Sequence, residues 1–418
     1  MRAPRLYVAV LAVALVAAAG CSAEVDGVPP DGVAPSAEPT SVASGSKAWV
    51  ADVRVRPNWI GRDAPWIWEY SDDVVVIAPR GLVALDQETG AEVWRLPLGG
   101  QVCGATPVPS KLGLVAITVG RCEPAGRPTR AGMSVLTGEP ATARRTTVKA
   151  VDLESASVVW ERPFPGAPTL EVGGEALLVA GRCSARRFDL GTGAPLGPLA
   201  AGCDNQVLVR DGVVVVSSAG GGPPWRAVEV TSGETVAEVT VSDPFNPLRI
   251  LAGQPLTVLA ADTADGRSAV VRLEPDGVRE LADVSTEAQD AFVTATDESV
   301  VLAGEAWPGA TELSLDDGST LGGFPGVGAE RWIPFARLDG GVLGFEGTQE
   351  GLNAGRGRLT LRSLRDDSLT ELDSEVFLND TNLAVAAPKA VVIDDVLLMP
   401  SHGNGGVLAH RLTLPAVS

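Results

Sequence analysis

The stretch GLVALDQETGAEVW, residues 81–94, decides the fold class of this chain. Its first half alternates in hydrophobicity as a half-buried strand does. Asp86 and the pair Thr89-Gly90 then favour a tight turn, because glycine readily takes the positive φ that such a turn requires. A second strand follows and ends at Trp94. The stretch therefore predicts an antiparallel β-hairpin.

The hairpin recurs along the chain. The clearest second copy is VKAVDLESASVVW at residues 148–160, and weaker copies begin at residues 186, 225, 270, 311, 359 and 407. The acid that ends the first strand of each copy recurs at steps of 66, 37, 40, 45 and 42 residues, at Asp86, Asp152, Asp189, Glu229, Glu274 and Asp316. Another apolar hairpin precedes each copy. Units of about 40 to 50 residues with four antiparallel strands predict β-propeller blades.

The number of blades follows from the length of the repeating region. Residues 47–418 at about 46 residues per blade predict eight four-stranded antiparallel blades, with seven as the alternative. The last hairpin lacks an outer strand of its own. Because an open ring would expose strand edges, we expect residues 47–56 to supply that strand. The sequence therefore predicts an all-β protein whose ring is closed by its N-terminal strand.

The first 46 residues have a different character. A short basic region and an unbroken apolar run precede Cys21, which is the pattern of a secretory signal peptide of residues 1–20. The small residues before Cys21 resemble a bacterial lipobox, although Ala18 stands where leucine is usual. Residues 21–46 are then a lipidated cysteine and a Pro-, Ser- and Ala-rich tether. Ordinary cleavage after an alanine, with Cys21 incidental, is the alternative.

The composition excludes several classes of function. The chain has 33 basic and 52 acidic residues and a net charge of −19, which argues against a nucleic-acid-binding protein. Two histidines leave little room for a histidine-based metal centre or hydrolytic triad. The combined 48 glycines and 31 prolines favour turns and short strands over long helices.

The repeat also carries a family resemblance. The pattern AxDxxTGxxxW at residues 84–94 resembles the tryptophan-docking repeat of the PQQ-like propeller superfamily, and residues 150–160 keep it with Ser-Ala in place of Thr-Gly. The resemblance covers residues 47–418 but is strict in the first two blades alone. It implies that Trp94 and Trp160 pack between blades.

The superfamily includes quinoprotein dehydrogenases and non-catalytic lipoproteins such as the outer-membrane assembly factor BamB. The dehydrogenases carry a disulfide between adjacent cysteines and a calcium site, and no two cysteines are adjacent here. The acid pairs at residues 72–73, 316–317, 366–367 and 394–395 fall at strand ends or turns, where we interpret them as solvated turn carboxylates. We expect neither PQQ nor calcium as a cofactor, no catalytic residues and no metal ligands.

The remaining four cysteines predict two disulfides. An oxidising compartment favours their pairing. In an antiparallel blade the start of one strand lies beside the end of the next. This geometry favours Cys103–Cys122 within the second blade and Cys183–Cys203 between the third and fourth blades, all on one face of the ring. Four buried free thiols are the alternative.

A candidate binding rim lies on that face. The connection of residues 122–147 is the longest insertion in the repeats and is rich in arginine in an acidic protein. Arginines and exposed aromatics are enriched at binding hot spots. The candidate binding residues are Arg121, Arg127, Arg130, Arg144, Arg145, Arg182, Arg186, Arg187, Trp225 and Trp307, with His402 in an equivalent loop.

These observations leave two function classes. The first is a monomeric, membrane-anchored extracytoplasmic propeller that acts as a non-catalytic scaffold and binds an envelope protein or an anionic polymer through this rim. The second is a divergent quinone- or calcium-dependent propeller enzyme. A scaffold in which the arginines merely balance nearby acids is also left open.

Overall fold

A computed structural model describes most of the chain from Lys47 to Leu412. The described residues are 47–53, 55, 66–121, 145–166, 168–181, 184–201, 206–217, 225–239, 245–253, 255–262, 267–274, 277–284, 292–296, 298–304, 309–324, 331–338, 341–365, 368–377, 383, 389–400 and 406–412. The predicted signal peptide, Cys21 and the tether lie outside them.

The described residues form eight four-stranded antiparallel sheets arranged as an eight-bladed β-propeller, which confirms eight blades over seven. The N-terminal strand is β1 (Lys47–Ala51). Blade 1 consists of β2 (Ile67–Tyr70), β3 (Asp73–Ala78), β4 (Gly81–Asp86) and β5 (Glu92–Pro97). Blade 2 consists of β6 (Gln101–Ala105), β7 (Leu114–Gly120), β8 (Thr146–Asp152) and β9 (Ser157–Phe164). Blade 3 consists of β10 (Thr169–Gly173), β11 (Ala176–Gly181), β12 (Ser184–Asp189) and β13 (Pro195–Ala201).

The same four-stranded pattern continues around the ring. Blade 4 consists of β14 (Gln206–Arg210), β15 (Val213–Ser217), β16 (Trp225–Glu229) and β17 (Thr235–Val239). Blade 5 consists of β18 (Phe245–Gly253), β19 (Leu256–Asp262), β20 (Ser268–Glu274) and β21 (Gly277–Val284). Blade 6 consists of β22 (Phe292–Ala295), β23 (Ser299–Gly304), β24 (Gly309–Ser314) and β25 (Thr320–Phe324). Blade 7 consists of β26 (Arg331–Leu338), β27 (Gly341–Gly347), β28 (Arg356–Ser363) and β29 (Leu369–Phe377), with the short helix α1 (Gln349–Asn353) between β27 and β28.

The ring is closed by the N-terminal strand, as predicted. Blade 8 consists of β30 (Val391–Ile393), β31 (Val396–Pro400) and β32 (Val407–Arg411), and its outer strand is β1. Trp49 of β1 lies opposite Ala409 of β32. The strand ends at Ala51, so it is shorter than the predicted 47–56.

The tight turns follow from the acid and the glycine of the repeat. Asp86 accepts a hydrogen bond from the backbone N–H of Thr89 at 2.7 Å, and Gly90 takes a φ of 71°. Asp189 and Thr192 repeat the contact at 2.7 Å. One assignment was wrong, because β24 ends at Ser314 and the Gly318 N–H bonds the Ser314 carbonyl at 3.0 Å. Ser314, two residues before the predicted Asp316, therefore holds the position of the acid in blade 6.

The core lies between neighbouring blades. One buried cluster joins Ala116 and Val148 of blade 2 to Leu177 and Phe188 of blade 3, and Trp160 packs against it. Trp94 likewise packs on a cluster that includes residues of blades 8, 1 and 2. These contacts confirm that the repeat tryptophans pack between blades.

The strand order gives the ring two distinct faces. First strands of adjacent blades contact one another, so they surround the axis. Connections from first to second and from third to fourth strands lie on one side, which we call the turn face. Connections from second to third strands, and those between blades, lie on the other side, which we call the insertion face. Loops from different blades can therefore meet on one surface.

Candidate functional site

The candidate binding site lies on the insertion face, beside blades 1, 2 and 3. Arg121 directly follows β7 and Arg145 directly precedes β8, and both side chains are exposed. They stand at the two ends of the long insertion predicted from the sequence. Its Arg127, Arg130 and Arg144 lie outside the described residues. The predicted arginine-bearing connection is therefore located by its two ends.

Arg80 is an additional exposed cation that sequence reasoning missed. It lies in the two-residue connection between β3 and β4 of blade 1, which also faces the insertion side. The carbonyl of Pro79 accepts a 2.9 Å hydrogen bond from Val102 of blade 2, which brings this turn against the start of β6. An arginine in a second-to-third connection was the available signal. Its short loop made it inconspicuous beside the insertion.

The remaining rim predictions have mixed outcomes. Arg186 is exposed, but it lies within β12 and not in the preceding loop. Arg182, Trp307 and His402 lie outside the described residues, so their placement stays a prediction.

The strand ends next to the cysteines also lie on the insertion face. Cys103 is half-buried in β6, near the start of that strand. Cys122 would follow β7, Cys183 would follow β11, and Cys203 would precede β14. These three residues lie outside the described residues. Both disulfide pairings therefore stay predictions.

The assignment of Trp225 to an exposed binding loop was wrong. Trp225 is the first residue of β16 and is 1% exposed. It packs with Leu208 of its own blade and with Val258 and Ala260 of blade 5. The strand begins immediately after the preceding loop, and its first side chain points into the apolar space between blades. Burial there stabilises the ring and makes the indole inaccessible to another molecule.

The assignment of Arg187 to the binding rim was also wrong. Its side chain is half-buried and its Nη1 donates to the carbonyls of Val230 and Thr231 of blade 4, at 3.2 and 2.9 Å. Those carbonyls belong to the turn that follows β16, on the opposite side of the ring. A Cβ at Gly233 in the same turn would collide with the guanidinium. Arg187 is therefore a structural residue that joins blade 3 to blade 4.

Arg272 repeats this contact at another junction. Its Nη1 donates to the carbonyls of Leu315 and Asp316 of blade 6, at 3.3 and 3.2 Å. Both arginines reach 43 and 44 residues ahead. The sequence analysis did not predict the structural role of these two arginines, because the repeat motif has its tryptophan on the fourth strand and they lie on the third.

The acid pairs behave as predicted where they are described. Asp317 accepts from the Ser319 side chain at 2.7 Å, and this hydrogen bond holds the pKa of Asp317 at about 2. Asp72 and Asp394 lie exposed in two-residue turns, and Asp394 accepts from Gln87 at 3.1 Å. Asp366 and Asp367 lie outside the described residues. Asp317 therefore holds its turn, Asp72 and Asp394 are solvated turn carboxylates, and Asp73 is half-buried at the start of β3.

Glu171 is a buried carboxylate between blades 3 and 4. It is 2% exposed, and its Oε1 accepts from the Gly212 N–H at 3.2 Å. Burial raises its pKa to about 7, with a smaller contribution in the same direction from Asp211 and opposing ones from the Gly212 hydrogen bond and from Arg210. The group faces the neighbouring blade.

The described residues lack both a metal-binding cluster and a membrane-spanning helix. No group of three or more histidines, cysteines, aspartates or glutamates there has the arrangement of a metal site. No helix within the described part of the chain has the length and apolar character needed to span a bilayer.

Comparison with known proteins supports the fold. No family model matches the chain, and no curated protein matches its sequence. A computationally designed protein, Ika8, is 15% identical and has a TM-score of 0.52, over 87% of this chain and 100% of that one. BamB from Moraxella catarrhalis is 14% identical and has a TM-score of 0.47, over 88% of this chain and 99% of that one. At such identities the designed protein is similar in fold alone.

The insertion face is suited to bind anions. Arg80, Arg121 and Arg145 are exposed beside strand ends on this face, whereas the exposed Arg186 lies within β12. A guanidinium presents a planar fork of N–H donors that matches carboxylate and phosphate oxygens. Each of these exposed guanidinium groups can therefore pair with a carboxylate or phosphate group.

Proposed function

We propose that this chain is a lipid-anchored extracytoplasmic propeller that acts as a non-catalytic binding scaffold in the cell envelope. The signal-peptide pattern before Cys21 and the tether of residues 22–46 support the anchor. Two acyl chains give stable membrane binding, and a flexible tether lets the propeller stand off the bilayer.

The arginines at the ends of the long connection carry the binding part of the proposal. Exposed Arg121 and Arg145 bracket an insertion that adds three more arginines. Long connections on a rigid scaffold commonly carry function. In a chain with a net charge of −19, arginines gathered on one face favour an anionic partner. The partner is an acidic protein segment or an envelope polymer that bears phosphate or carboxylate groups.

Membrane fractionation of the full chain and a Cys21→Ser variant tests the anchor. We expect the native chain in the membrane fraction and the variant in the soluble extracytoplasmic fraction. Equal distribution of the two would contradict lipidation at Cys21 and leave ordinary signal cleavage.

Crosslinking in the native envelope tests the binding face. The sequence predicts that Arg127, Arg130, Arg144 and Arg145 belong to a surface loop, where substitutions usually cost under about 0.5 kcal/mol, so replacing them with serine should leave the fold intact. We expect lower partner yield and weaker dependence on salt, while Arg279→Ser, an exposed arginine of blade 5, has no effect. Unchanged yield and salt dependence would locate the binding face elsewhere.

A thermal-unfolding measurement separates the scaffold from the quinoprotein alternative. A ligand that binds the folded state raises its stability by mass action. We expect the same unfolding temperature with and without calcium and PQQ. A rise that saturates with concentration of either compound would favour the enzyme.

The two disulfides belong to the same proposal, because an extracytoplasmic chain is exposed to an oxidising compartment. Each would close a loop of about 20 residues, for about 3 kcal/mol in the chain-entropy model. Peptide mapping without reduction should show Cys103–Cys122 and Cys183–Cys203. A Cys122–Cys183 link would contradict both.

A further inference from the structure

Blade 2 carries an unusual loop on the turn face, between β6 and β7. This loop, residues 106–113, has the sequence TPVPSKLG. Four corresponding connections lie entirely within the described residues, and each has two residues: 71–72, 174–175, 211–212 and 394–395. The blade 2 loop is therefore the long exception among these turns.

Hydrogen bonds hold the loop in one shape. The Ser110 hydroxyl accepts from the N–H groups of Leu112 and Leu114, at 3.3 and 3.1 Å. At its start, the carbonyl of Thr106 accepts from the indole of Trp68 in blade 1 at 2.9 Å. At its end, Gly113 has a φ of 72° and lies so close to the Tyr70 ring that a Cβ would collide with it. The loop is thus fixed to two blades.

The rigid loop exposes two aliphatic side chains. Leu112 is 60% exposed and Val108 is 58% exposed, the two highest values among the large apolar residues that the structure describes. An aliphatic pair held in water by an ordered loop loses little conformational entropy when it binds, because the backbone is already fixed. Two such side chains on one ordered loop offer apolar surface that a partner protein can cover.

Carboxylates outnumber cations around this pair, although Lys111, directly before Leu112, is an exposed cation of the loop itself. The carbonyl of Gly113 accepts from the Leu153 N–H at 3.1 Å, which brings the Asp152 and Glu154 turn against the loop. Both carboxylates also act on Tyr70, since burial raises the pKa of Tyr70 and their charges raise it further. Asp72 lies exposed two residues after Tyr70. Three carboxylates therefore belong to the turns next to the loop, against the single cation Lys111 within it, and the net charge of these four groups is negative.

We propose that residues 106–113, with Asp72, Asp152 and Glu154, form a docking surface for a segment of another protein that carries lysine or arginine beside aliphatic residues. The aliphatic side chains of the partner cover Val108 and Leu112, and its cations meet the carboxylates. A symmetric dimer through this surface would oppose two faces that each carry a net negative charge, which like-charge repulsion disfavours.

This surface goes beyond the proposed anion-binding role. It lies on the opposite side of the ring and has the opposite charge. A chain with both surfaces holds an anionic partner on one side and a cationic, apolar one on the other. The inference does not depend on what the insertion face binds.

Site-specific photo-crosslinking in the cells that make the protein tests the proposal. A benzophenone amino acid replaces Leu112 in the full chain, and mass spectrometry identifies the crosslinked segment. The control carries it at Leu196, which is 44% exposed on the outer strand of blade 3. We expect about tenfold more product from position 112, joined to a segment of another protein rich in lysine or arginine.

Removing carboxylates from this surface tests the electrostatic part of the proposal. Asp72→Asn with Glu154→Gln should lower the yield from position 112 about fivefold, and raised salt should lower it too. A yield no higher than at position 196 would overturn the proposal. So would products with lipid, with a second copy of this chain or with an acidic segment, or a yield unchanged by charge removal. The insertion-face serine variant should leave this crosslink intact, which separates the two surfaces.

Discussion

Two neighbouring blade junctions solve the same packing problem with different chemistry. Between blades 2 and 3, Trp160 lies over Gly193 and its Nε1 donates to the Leu190 carbonyl at 2.7 Å. Between blades 3 and 4, Arg187 lies over Gly233 and donates to two turn carbonyls. Each side chain is long and flat. Each covers the turn glycine of the next blade and donates to one or two backbone carbonyls of that blade.

The register of the outer strands explains the change of residue. In blade 2 the cross-strand pair is Ala150 on β8 and Trp160 on β9. In blade 3 the corresponding pair is Arg187 on β12 and Gly197 on β13. The large side chain has moved from the fourth strand to the third, and a glycine leaves room for it to cross. The ring therefore preserves the location of the contact while the residue and its strand change.

The junction between blades 8 and 1 is a third case of this contact, and removing its strand β1 should have the largest effect on stability. Trp49 of β1 donates to the Gln87 carbonyl at 2.9 Å and packs over Gly90, so it joins blade 8 to blade 1 as Trp160 joins blade 2 to blade 3. Deletion through residue 58 should lower the free energy of unfolding by more than about 4 kcal/mol, since truncating a buried tryptophan alone costs about 3–5 kcal/mol. Urea unfolding measures the loss.

Deletion through residue 45 is the matched control, because it spares β1. We expect its midpoint to equal that of the full propeller. If both deletions unfold alike, β1 does not hold the ring closed, and tryptophan docking at this junction contributes little.

Trp160→Ala should lower the free energy of unfolding by about 3 kcal/mol, because it removes buried aromatic surface and leaves the Leu190 carbonyl without its donor. The matched control is Val159→Ala, next to it on β9, whose side chain is 44% exposed. We expect a change within about 0.5 kcal/mol for the control. Equal losses would mean that the strand, and not the docked indole, holds the junction.

Part of the pH dependence of stability should come from Glu171, which lies on the first strand of blade 3 at the junction with blade 4. Glu171 is 2% exposed with a pKa of about 7, so the folded carboxyl keeps its proton while the unfolded one, near 4.5, loses it. Folding stability is therefore fully present below about pH 4.5 and falls as pH rises towards 7. At about 1.4 kcal/mol per pH unit, the loss is about 3 kcal/mol.

Glu171→Gln should flatten this dependence and stabilise the protein at pH 8 relative to wild type. Chemical unfolding at pH 5 and pH 8 measures both effects. Glu175→Gln, in the exposed turn of the same blade, is the control and should leave the dependence unchanged. A wild-type curve that rises between pH 5 and 8 and does not respond to Glu171→Gln would contradict this origin.

Whether a contact could be predicted from the sequence depends on how far apart its residues lie along the chain. Asp86 and Thr89 are three positions apart in the sequence, so their role in the turn was readable from the local pattern. Closure by β1 was predictable because strand edges must be paired. By contrast, Arg187 acts on carbonyls 43 and 44 residues away, and a repeat motif contains no information about that partner.

The candidate site shows the same division. The arginines that flank the insertion were found from composition, and Arg121 and Arg145 are exposed as expected. Trp225 was wrongly assigned because its burial is set by Val258 and Ala260 of another blade. The aliphatic pair on the turn face was not predicted, because exposure of Leu112 depends on how the loop packs against Tyr70.

The smallest effect should come from Arg187→Ala, at about 2 kcal/mol, since hydrogen bonds from a charged donor are worth about 1.5–3 kcal/mol. Arg187→Lys should restore less than half of the loss, because lysine lacks the planar fork that spans two carbonyls. Its exposed neighbour is the control, and Arg186→Ala should change unfolding by under about 0.5 kcal/mol. Full rescue by lysine would mean that charge alone is required.

The junction at Arg272, between blades 5 and 6, allows the effect of an ion pair to be separated from that of hydrogen bonds to the backbone. Arg272 also pairs with Asp316 at 3.5 Å, and that carboxylate is 93% exposed. Salt screens exposed pairs, whereas hydrogen bonds from a half-buried guanidinium to backbone carbonyls are screened much less. The loss caused by Arg272→Ala should therefore shrink in about 0.5 M salt, where the Debye length is about 4 Å, and the loss caused by Arg187→Ala should not. If salt reduces both losses equally, the two junctions rest on charge, and the arginine is not a replacement for tryptophan.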